Sequence, residues 1–252
     1  MLRSKKLTLF LLLSNAITLA TLVVICWYYR VPGKFYRRLV VESRVPGVNE
    51  SFESNRFYAT SRQLFDLYAA SNPSDTRPAT LVLGDSQVSL VNWNEMLPGF
   101  DAVGRGIPGD TVAGLSYRIG DYQDHQPATC VLMIGTNDVL TDRPFIETEA
   151  AYRDLVQHSL DMWPNSRIVL VSVPPFSKWV TKAEAKNNRV KQMNVFLSNL
   201  AGQSPRTIYT NLHDAIIDAD QYLANEMTMD GVHLNAASYS VLRNQLQAIG
   251  AN

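Results

Sequence analysis

From residue 79 onward, short runs of apolar, β-favouring residues alternate with longer stretches of helical periodicity. Strands separated by helices of this length are joined by crossover connections, which place the strands parallel in one sheet. The alternation therefore predicts an α/β domain with a central five-stranded parallel sheet. The predicted strands are Thr80–Leu83, Ala102–Gly104, Cys130–Ile134, Ile168–Val173 and Thr207–Thr210, and the predicted helices are Val112–Asp124, Glu147–Met162, Glu184–Leu200 and Ala236–Ile249.

The amino-terminal segment Leu7–Tyr29 contains no charged residue. As a helix it would extend roughly 30–35 Å, about the hydrocarbon thickness of a bilayer. A cleaved signal peptide has a shorter apolar stretch and a small-residue cleavage site, whereas this segment ends in Trp27, Tyr28 and Tyr29. We therefore expect an uncleaved, single-pass membrane anchor. Basic residues flank both ends and leave the orientation open, but a short tail before a lone anchor favours an extracytoplasmic or periplasmic location for the following domain.

The chain is expected to have three parts. Residues 1–29 form the tail and anchor, and residues 30–77 form a juxtamembrane connector with proline-glycine turns and a helix-like stretch over 57–70. Residues 78–252 form the α/β domain, and their length suits a single domain.

Composition excludes several classes of function. The 23 basic and 23 acidic residues balance, so no electrostatic feature predicts a nucleic-acid partner. The two cysteines, Cys26 and Cys130, lie in an apolar segment and a strand-like run, which gives no disulfide framework. The sequence has no HExxH motif, paired cysteines or carboxylate cluster that predicts a metal site, and no complete phosphate-loop or dinucleotide motif. We therefore expect no metal and no cofactor.

Four polar motifs lie at the ends of the predicted elements. Because the carboxyl ends of parallel strands meet at one edge of a sheet, the first three should lie close together, and the fourth directly precedes the last helix. Taken singly, each motif is more often a turn or a helix cap, and their joint occurrence in this order favours a functional site. The motifs are Gly84-Asp85-Ser86-Gln87, Gly106-Ile107-Pro108-Gly109-Asp110-Thr111, Gly135-Thr136-Asn137-Asp138 and Asp230-Gly231-Val232-His233.

These residue types suit acyl transfer to a serine. A serine hydroxyl needs a base to take its proton, and His233 is the candidate base for Ser86. Asp230, three residues before His233, can reach back across one turn to orient the imidazole. The backbone amides of Ser86 and Gly109 and the side-chain amide of Asn137 are candidate donors to an oxyanion.

With these four motifs, residues 78 to 250 resemble the SGNH hydrolases, also called GDSL-type esterases and lipases. The resemblance implies a three-layer, flavodoxin-like fold. It also implies that Ser86 is the nucleophile of a triad with Asp230 and His233, and that Ser86, Gly109 and Asn137 form the oxyanion hole.

The sequence departs from the family pattern at two positions. The family often has Leu or Ile where Gln87 stands and Asn where Gly104 stands. Neither change removes a catalytic atom, and we expect them to affect the pocket and the hydrogen bonds behind the site. Among the other histidines only His213, beside Asp214, hints at function. Phe176 and Trp179 follow the fourth strand, where they could contact substrate or pack against the sheet.

The leading hypothesis is a serine esterase that hydrolyses an acetyl or other short acyl ester of a carbohydrate or lipid. The first alternative is an O-acyltransferase that uses the same residues and moves the acyl group to a cell-envelope carbohydrate hydroxyl. The second alternative is an inactive binding module, which predicts the loss of a triad member or an oxyanion donor. The expected partners are the ester substrate and the membrane. The sequence does not indicate an oligomeric state.

Overall fold

The computed structural model describes residues 79–250 continuously, together with residues 58–61, 63–64 and 67. The predicted membrane segment Leu7–Tyr29 and most of the predicted connector lie outside these residues. Among the described residues, no helix has both the length and the apolar character needed to cross a membrane.

Five parallel strands form one sheet in the order β2-β1-β3-β4-β5. This is the strand order of flavodoxin-like folds, in which ligands bind beyond the carboxyl ends of the strands. The predicted α/β fold with a central five-stranded parallel sheet is confirmed. The strands are β1 (Thr80–Gly84), β2 (Ala102–Gly106), β3 (Thr129–Met133), β4 (Arg167–Val171) and β5 (Thr207–Thr210).

Helices follow the strands in the crossovers and at the carboxyl terminus. Short 3₁₀ helices occur at Ile119–Tyr122, His213–Ala215 and Asn225–Met227. The α-helices of the continuously described part are α1 (Ser86–Ser89), α2 (Trp93–Met96), α3 (Val112–Arg118), α4 (Thr136–Leu140), α5 (Phe145–Met162), α6 (Ala183–Ala201) and α7 (Ala236–Ala248).

Two apolar layers cover the sheet, one on each face. Alternate residues of a strand point to opposite faces, so Leu81 and Leu83 of β1 pack with α3, α5 and α6. Val82, between them, packs with α1, α2 and α7. Every residue of β1 and β3 is buried, and Cys130 is one of these core residues. Because burying one leucine side chain contributes about 1.5–3 kcal/mol, this doubly covered centre is the main source of the fold's stability.

The predicted elements differ from the observed ones mainly at their ends. The predicted fourth strand extends to Val173, but β4 ends at Val171. Beyond it, the side chain of Asn194 on α6 binds both the backbone N–H and the carbonyl of Val173, at 2.8 and 3.0 Å, in place of a neighbouring strand. The predicted helix Val112–Asp124 becomes 3₁₀ after Arg118. Helices α1 and α2 were not predicted, because four residues are too few to show helical periodicity.

Candidate active site

Ser86 is the first residue of α1, and Asp85 alone separates it from the interior strand β1. Asp85 caps this helix, because its Oδ1 accepts a hydrogen bond from the Gln87 N–H at 2.9 Å. The cap holds the turn between strand and helix. Within the described part of the chain, the Ser86 N–H has no hydrogen-bond acceptor, as is usual for the first amides of a helix.

The hydroxyl of Ser86 lies against the imidazole of His233. Ser86 Oγ and His233 Nε2 are 3.0 Å apart, although the two residues are 147 positions apart in the chain. On the other side of the ring, His233 Nδ1 and Asp230 Oδ2 are 2.7 Å apart. The structure thus brings Ser86, His233 and Asp230 into the linear order that a serine nucleophile, its base and an orienting carboxylate require. Their catalytic roles stay a prediction.

Asp230 uses its two carboxylate oxygens for different purposes. Oδ2 meets the ring of His233, while Oδ1 accepts from the backbone N–H groups of Val232 and His233 at 3.0 and 2.7 Å. Burial acts to raise the pKa of Asp230, but these hydrogen bonds outweigh it and the pKa is lowered from its ordinary value of 3.8. Asp230 is therefore an ionised acceptor at neutral pH, and only the tautomer of His233 with a hydrogen on Nδ1 can donate to it.

Gly109 lies in the turn between β2 and α3. The N–H of Asp110 donates to the carbonyl of Ile107 at 3.0 Å, with Pro108 and Gly109 as the central residues. Gly109 has a φ of +81°, which a type II turn requires at this position and which glycine adopts without strain. No atom lies within 4 Å of the place a side chain would occupy, and the Gly109 N–H has no acceptor in the described part of the chain. This amide is therefore available to a ligand.

Asn137 lies in the first turn of α4, with its side chain half-buried. Its Nδ2 donates to the backbone carbonyl of Asp110 at 2.8 Å and lies 3.5 Å from Asp85 Oδ2. The first contact is a normal hydrogen bond and the second is at the outer limit. One hydrogen of the amide thus anchors Asn137 to the turn that contains Gly109, and the other is only weakly engaged.

A fully buried guanidinium connects the nucleophile turn with the Gly109 turn. Arg118 Nε donates to Asp110 Oδ2 at 2.8 Å, and its Nη2 donates to the carbonyls of Gly84 and Arg105 at 3.0 and 3.2 Å. These carbonyls lie at the ends of β1 and β2. The sequence reasoning missed Arg118, and the available signal was a basic residue on the otherwise apolar face of α3 that contains Val112 and Leu115.

Three buried aspartates lie at this edge of the sheet. Burial raises the pKa of Asp85 to about 7, against the hydrogen bond from Gln87 and with the help of its acidic neighbours. Burial likewise raises the pKa of Asp110 and Asp138 to about 6, although Arg118 counteracts the shift of Asp110 and the Val112 N–H that of Asp138. Carboxyl groups with such raised pKa values are concentrated at functional sites.

The two departures from the family pattern have physical explanations. Gln87 is buried and hydrogen-bonds to the segment that contains His233. At Gly104, a Cβ atom would lie 2.2 Å from the indole of Trp93, so the ring occupies the space of a larger side chain. Trp93 Nε1 in turn donates to the carbonyl of Val88 in α1 at 2.9 Å.

The other residues singled out in the sequence are His213, Phe176 and Trp179. His213 is buried, its Nδ1 lies 2.7 Å from Asp214 Oδ1, and its backbone N–H donates to Ser172 Oγ after β4. Phe176 is completely buried in the core, whereas Trp179 is exposed and packs against Gly231. Nothing among the described residues forms a cluster suited to holding a metal ion.

The strand order is that of a flavodoxin-like sheet, and the arrangement of Ser86, His233 and Asp230 is the one that a serine-dependent hydrolase requires. The model of the GDSL-like lipase/acylhydrolase family matches residues 82–241. The chain belongs to this family and is an enzyme that hydrolyses ester bonds. A comparison with curated proteins gives no match.

Solved structures with the same fold include several bacterial enzymes. A GDSL-like lipase from Bacteroides thetaiotaomicron is 18% identical with a TM-score of 0.64, over 75% of this chain and 96% of its own. A catalytic mutant of an acetylxylan esterase from Geobacillus stearothermophilus is 17% identical with a TM-score of 0.55, over 68% and 93%. A member of the lipolytic G-D-S-L family from Veillonella parvula is 15% identical with a TM-score of 0.55, over 69% and 98%. At these identities the likeness concerns the fold alone.

Proposed function

We propose that the protein hydrolyses an acetyl or other short acyl ester of a carbohydrate or lipid through an acyl-Ser86 intermediate. The observation that carries the proposal is the continuous hydrogen-bonded line from Ser86 Oγ through His233 to Asp230, with separations of 3.0 and 2.7 Å. A hydroxyl in this position can lose its proton to the imidazole as it attacks a carbonyl carbon.

The proposed reaction has two half-reactions. Ser86 Oγ attacks the ester carbonyl while His233 Nε2 takes its proton, and the N–H groups of Ser86 and Gly109 with the Asn137 amide stabilise the oxyanion. Collapse of the tetrahedral intermediate breaks the bond to the alkoxy oxygen, which leaves as an alcohol with the proton from His233. A water molecule then gives a proton to His233 and attacks the acyl carbon. The bond from this carbon to Ser86 Oγ breaks, His233 returns the proton to Oγ, and the carboxylic acid is released.

The apolar part of the ester is assigned to a neighbouring groove. An open groove of about 580 Å³ borders the residues next to Ser86 and His233; its lining includes Leu90, Met229 and Leu234 but neither Ser86 nor His233 itself. Leu90 follows α1 directly, and the other two residues flank Asp230–His233. Apolar lining with a few polar groups is typical of small-molecule sites.

Labelling with a fluorophosphonate, which phosphonylates activated serines, tests the proposal. The wild-type protein is expected to be labelled at Ser86 and to hydrolyse p-nitrophenyl acetate, and Ser86→Ala should lose both activities. Ser89→Ala is the matched control, because Ser89 lies on the same short helix and its hydroxyl donates only to the Ser86 carbonyl. Absence of labelling in a folded wild-type protein would support the inactive binding module instead.

The membrane location and the acyltransferase alternative rest on the apolar segment Leu7–Tyr29. We propose that this segment anchors the enzyme with its catalytic domain on the extracytoplasmic side. Retention of the full-length protein in alkali-washed membranes, and its release when residues 1–29 are deleted, would support the anchor. An acylated sugar that forms only when a carbohydrate acceptor is added, without faster ester hydrolysis, would favour transfer over hydrolysis.

A further inference from the structure

The side chain of Gln87 joins the nucleophile helix to the segment that contains His233. Gln87 directly follows Ser86 and is only 1% exposed. Its Nε2 donates to the carbonyl of Val232 at 2.9 Å, and its Oε1 accepts from the N–H of Leu234 at 3.1 Å. One amide thus pairs with the backbone on both sides of His233, where a leucine or isoleucine could make neither bond.

The two peptide planes that flank His233 are held on both edges. On one edge, Gln87 binds the Val232 carbonyl and the Leu234 N–H. On the other, the His233 N–H donates to Asp230 at 2.7 Å, and the His233 carbonyl accepts from Thr228 Oγ1 at 2.7 Å and from the Met229 N–H at 3.0 Å. Asp230, Thr228 and Met229 belong to the same segment as His233 and cannot position it relative to Ser86, whereas Gln87 can.

Gln87 is itself held at its backbone. Its N–H donates to Asp85 Oδ1 at 2.9 Å, and its carbonyl accepts from the hydroxyl of Tyr239 on α7 at 2.6 Å. The side chain therefore extends from a backbone that is bound on both sides. A displacement of the His233 segment relative to α1 must therefore stretch the Gln87 hydrogen bonds or rotate a side chain that is buried among its neighbours.

We infer that Gln87 is a positioning residue, which sets the distance between Ser86 Oγ and His233 Nε2 by pairing with the peptide groups on either side of the base. The inference rests on the proposed function, because it assigns Gln87 an effect on proton transfer from Ser86 to His233. Gln87 touches neither the substrate nor the transferred proton, so its loss should slow acylation and leave substrate binding nearly unchanged.

The deciding variants are Gln87→Met and Gln87→Glu. Methionine keeps the length of the side chain but makes neither hydrogen bond. Because a shift of about 1 Å between reacting groups costs about 100-fold in rate, Gln87→Met is expected to lower kcat by about 10- to 100-fold with KM within about threefold of wild type. Gln245→Met is the matched control. Gln245 lies near the carboxyl end of α7, and its side chain also donates to a backbone carbonyl, that of Asn211.

Gln87→Glu gives a readout that a merely structural role would not change. A protonated glutamic acid donates to Val232 and accepts from Leu234 as glutamine does, whereas a carboxylate repels the Val232 carbonyl. The ratio of Gln87→Glu to wild-type kcat should therefore fall as pH rises, while the Gln87→Met ratio stays low and flat. Asp85, His233 and Tyr239 are titratable groups close to residue 87, and Gln87→Met, which keeps all three and adds no ionisable group, shows how much of the pH dependence comes from them.

The experiment measures kcat, KM and the rate of fluorophosphonate labelling of the full-length proteins between about pH 5 and about pH 9. Rates are expressed per labelled serine, so that loss of folded protein does not count as loss of rate. If wild type is not labelled, the proposed function fails. If wild type is labelled and Gln87→Met reacts within twofold of it, or the Gln87→Glu ratio is independent of pH, then Gln87 is not a positioning residue. Should Gln87→Met fail to fold, the Gln87→Glu ratio decides alone.

Discussion

Replacing Asp85 with asparagine is expected to make the stability of the fold less sensitive to rising pH. Asp85 is completely buried, and burial raises its pKa from 3.8 to about 7 even though the Gln87 N–H counteracts the shift. The folded protein therefore keeps this proton up to about pH 7, whereas the unfolded chain releases it near pH 4. Between these values folding takes up a proton, so the free energy of unfolding falls as pH rises.

The size of the effect follows from the shift of the pKa. A rise from 3.8 to about 7 corresponds to about 4 kcal/mol, since each pKa unit is worth about 1.4 kcal/mol. This loss of stability is absent below about pH 4 and complete above about pH 7. The introduced asparagine can still accept the hydrogen bond from the Gln87 N–H, so the cap of α1 is kept. The variant should therefore gain up to about 4 kcal/mol over wild type between acidic and alkaline pH.

Equilibrium urea unfolding of wild type and Asp85→Asn at about pH 4.5 and about pH 8 measures this difference. The exposed Asp124, replaced by asparagine, is the control for loss of a carboxylate as such. A stability difference between Asp85→Asn and wild type that is the same at both pH values would refute the argument, because it would show that folding does not shift the titration of Asp85.

Three further substitutions have defined expected outcomes. Arg118→Met leaves the buried carboxylate of Asp110 without its partner and should lower the free energy of unfolding by about 3–5 kcal/mol. Thermal unfolding should show a fall in Tm of about 10 °C. An unchanged Tm would contradict the pairing. Asn137→Ala should lower kcat by about 10²–10³ with little change in KM, and a change in KM alone would exclude a transition-state contact. Gly109→Ala forces alanine to a φ of +81° and should destabilise the fold by about 1–2 kcal/mol in urea unfolding, whereas equal stability would show that the turn relaxes.

The sheet could be predicted from the sequence to within two residues at every strand end. Strands β1 and β3 are covered on both faces and therefore read as continuous apolar runs between polar segments. The ends of β2 and β4 were each off by two residues. For β4 the reason is Asn194, a side chain of the following helix that replaces a strand as hydrogen-bond partner. No pattern near residues 171–173 contains that information.

The candidate site likewise has residues that the sequence predicts and residues that it does not. Ser86, Gly109, Asn137, Asp230 and His233 could be named in advance, because each follows a strand or precedes a helix within a short motif. The supporting side chains of Arg118 and Gln87 could not be assigned in advance. Arg118 acts on carbonyls at the ends of two strands, and Gln87 acts on peptide groups that lie 145 and 147 positions away in the chain.

The order of apolar and polar residues along the chain was enough to predict the class of fold, the strands and the candidate reactive groups, because these depend on local periodicity and on residue chemistry. Only the tertiary structure decided how Ser86 and His233 meet, which carboxyl groups are deprived of water, and which amide holds the base in place. These properties depend on distances between segments far apart in the chain, and such distances exist only after the sheet has assembled and its helices have packed.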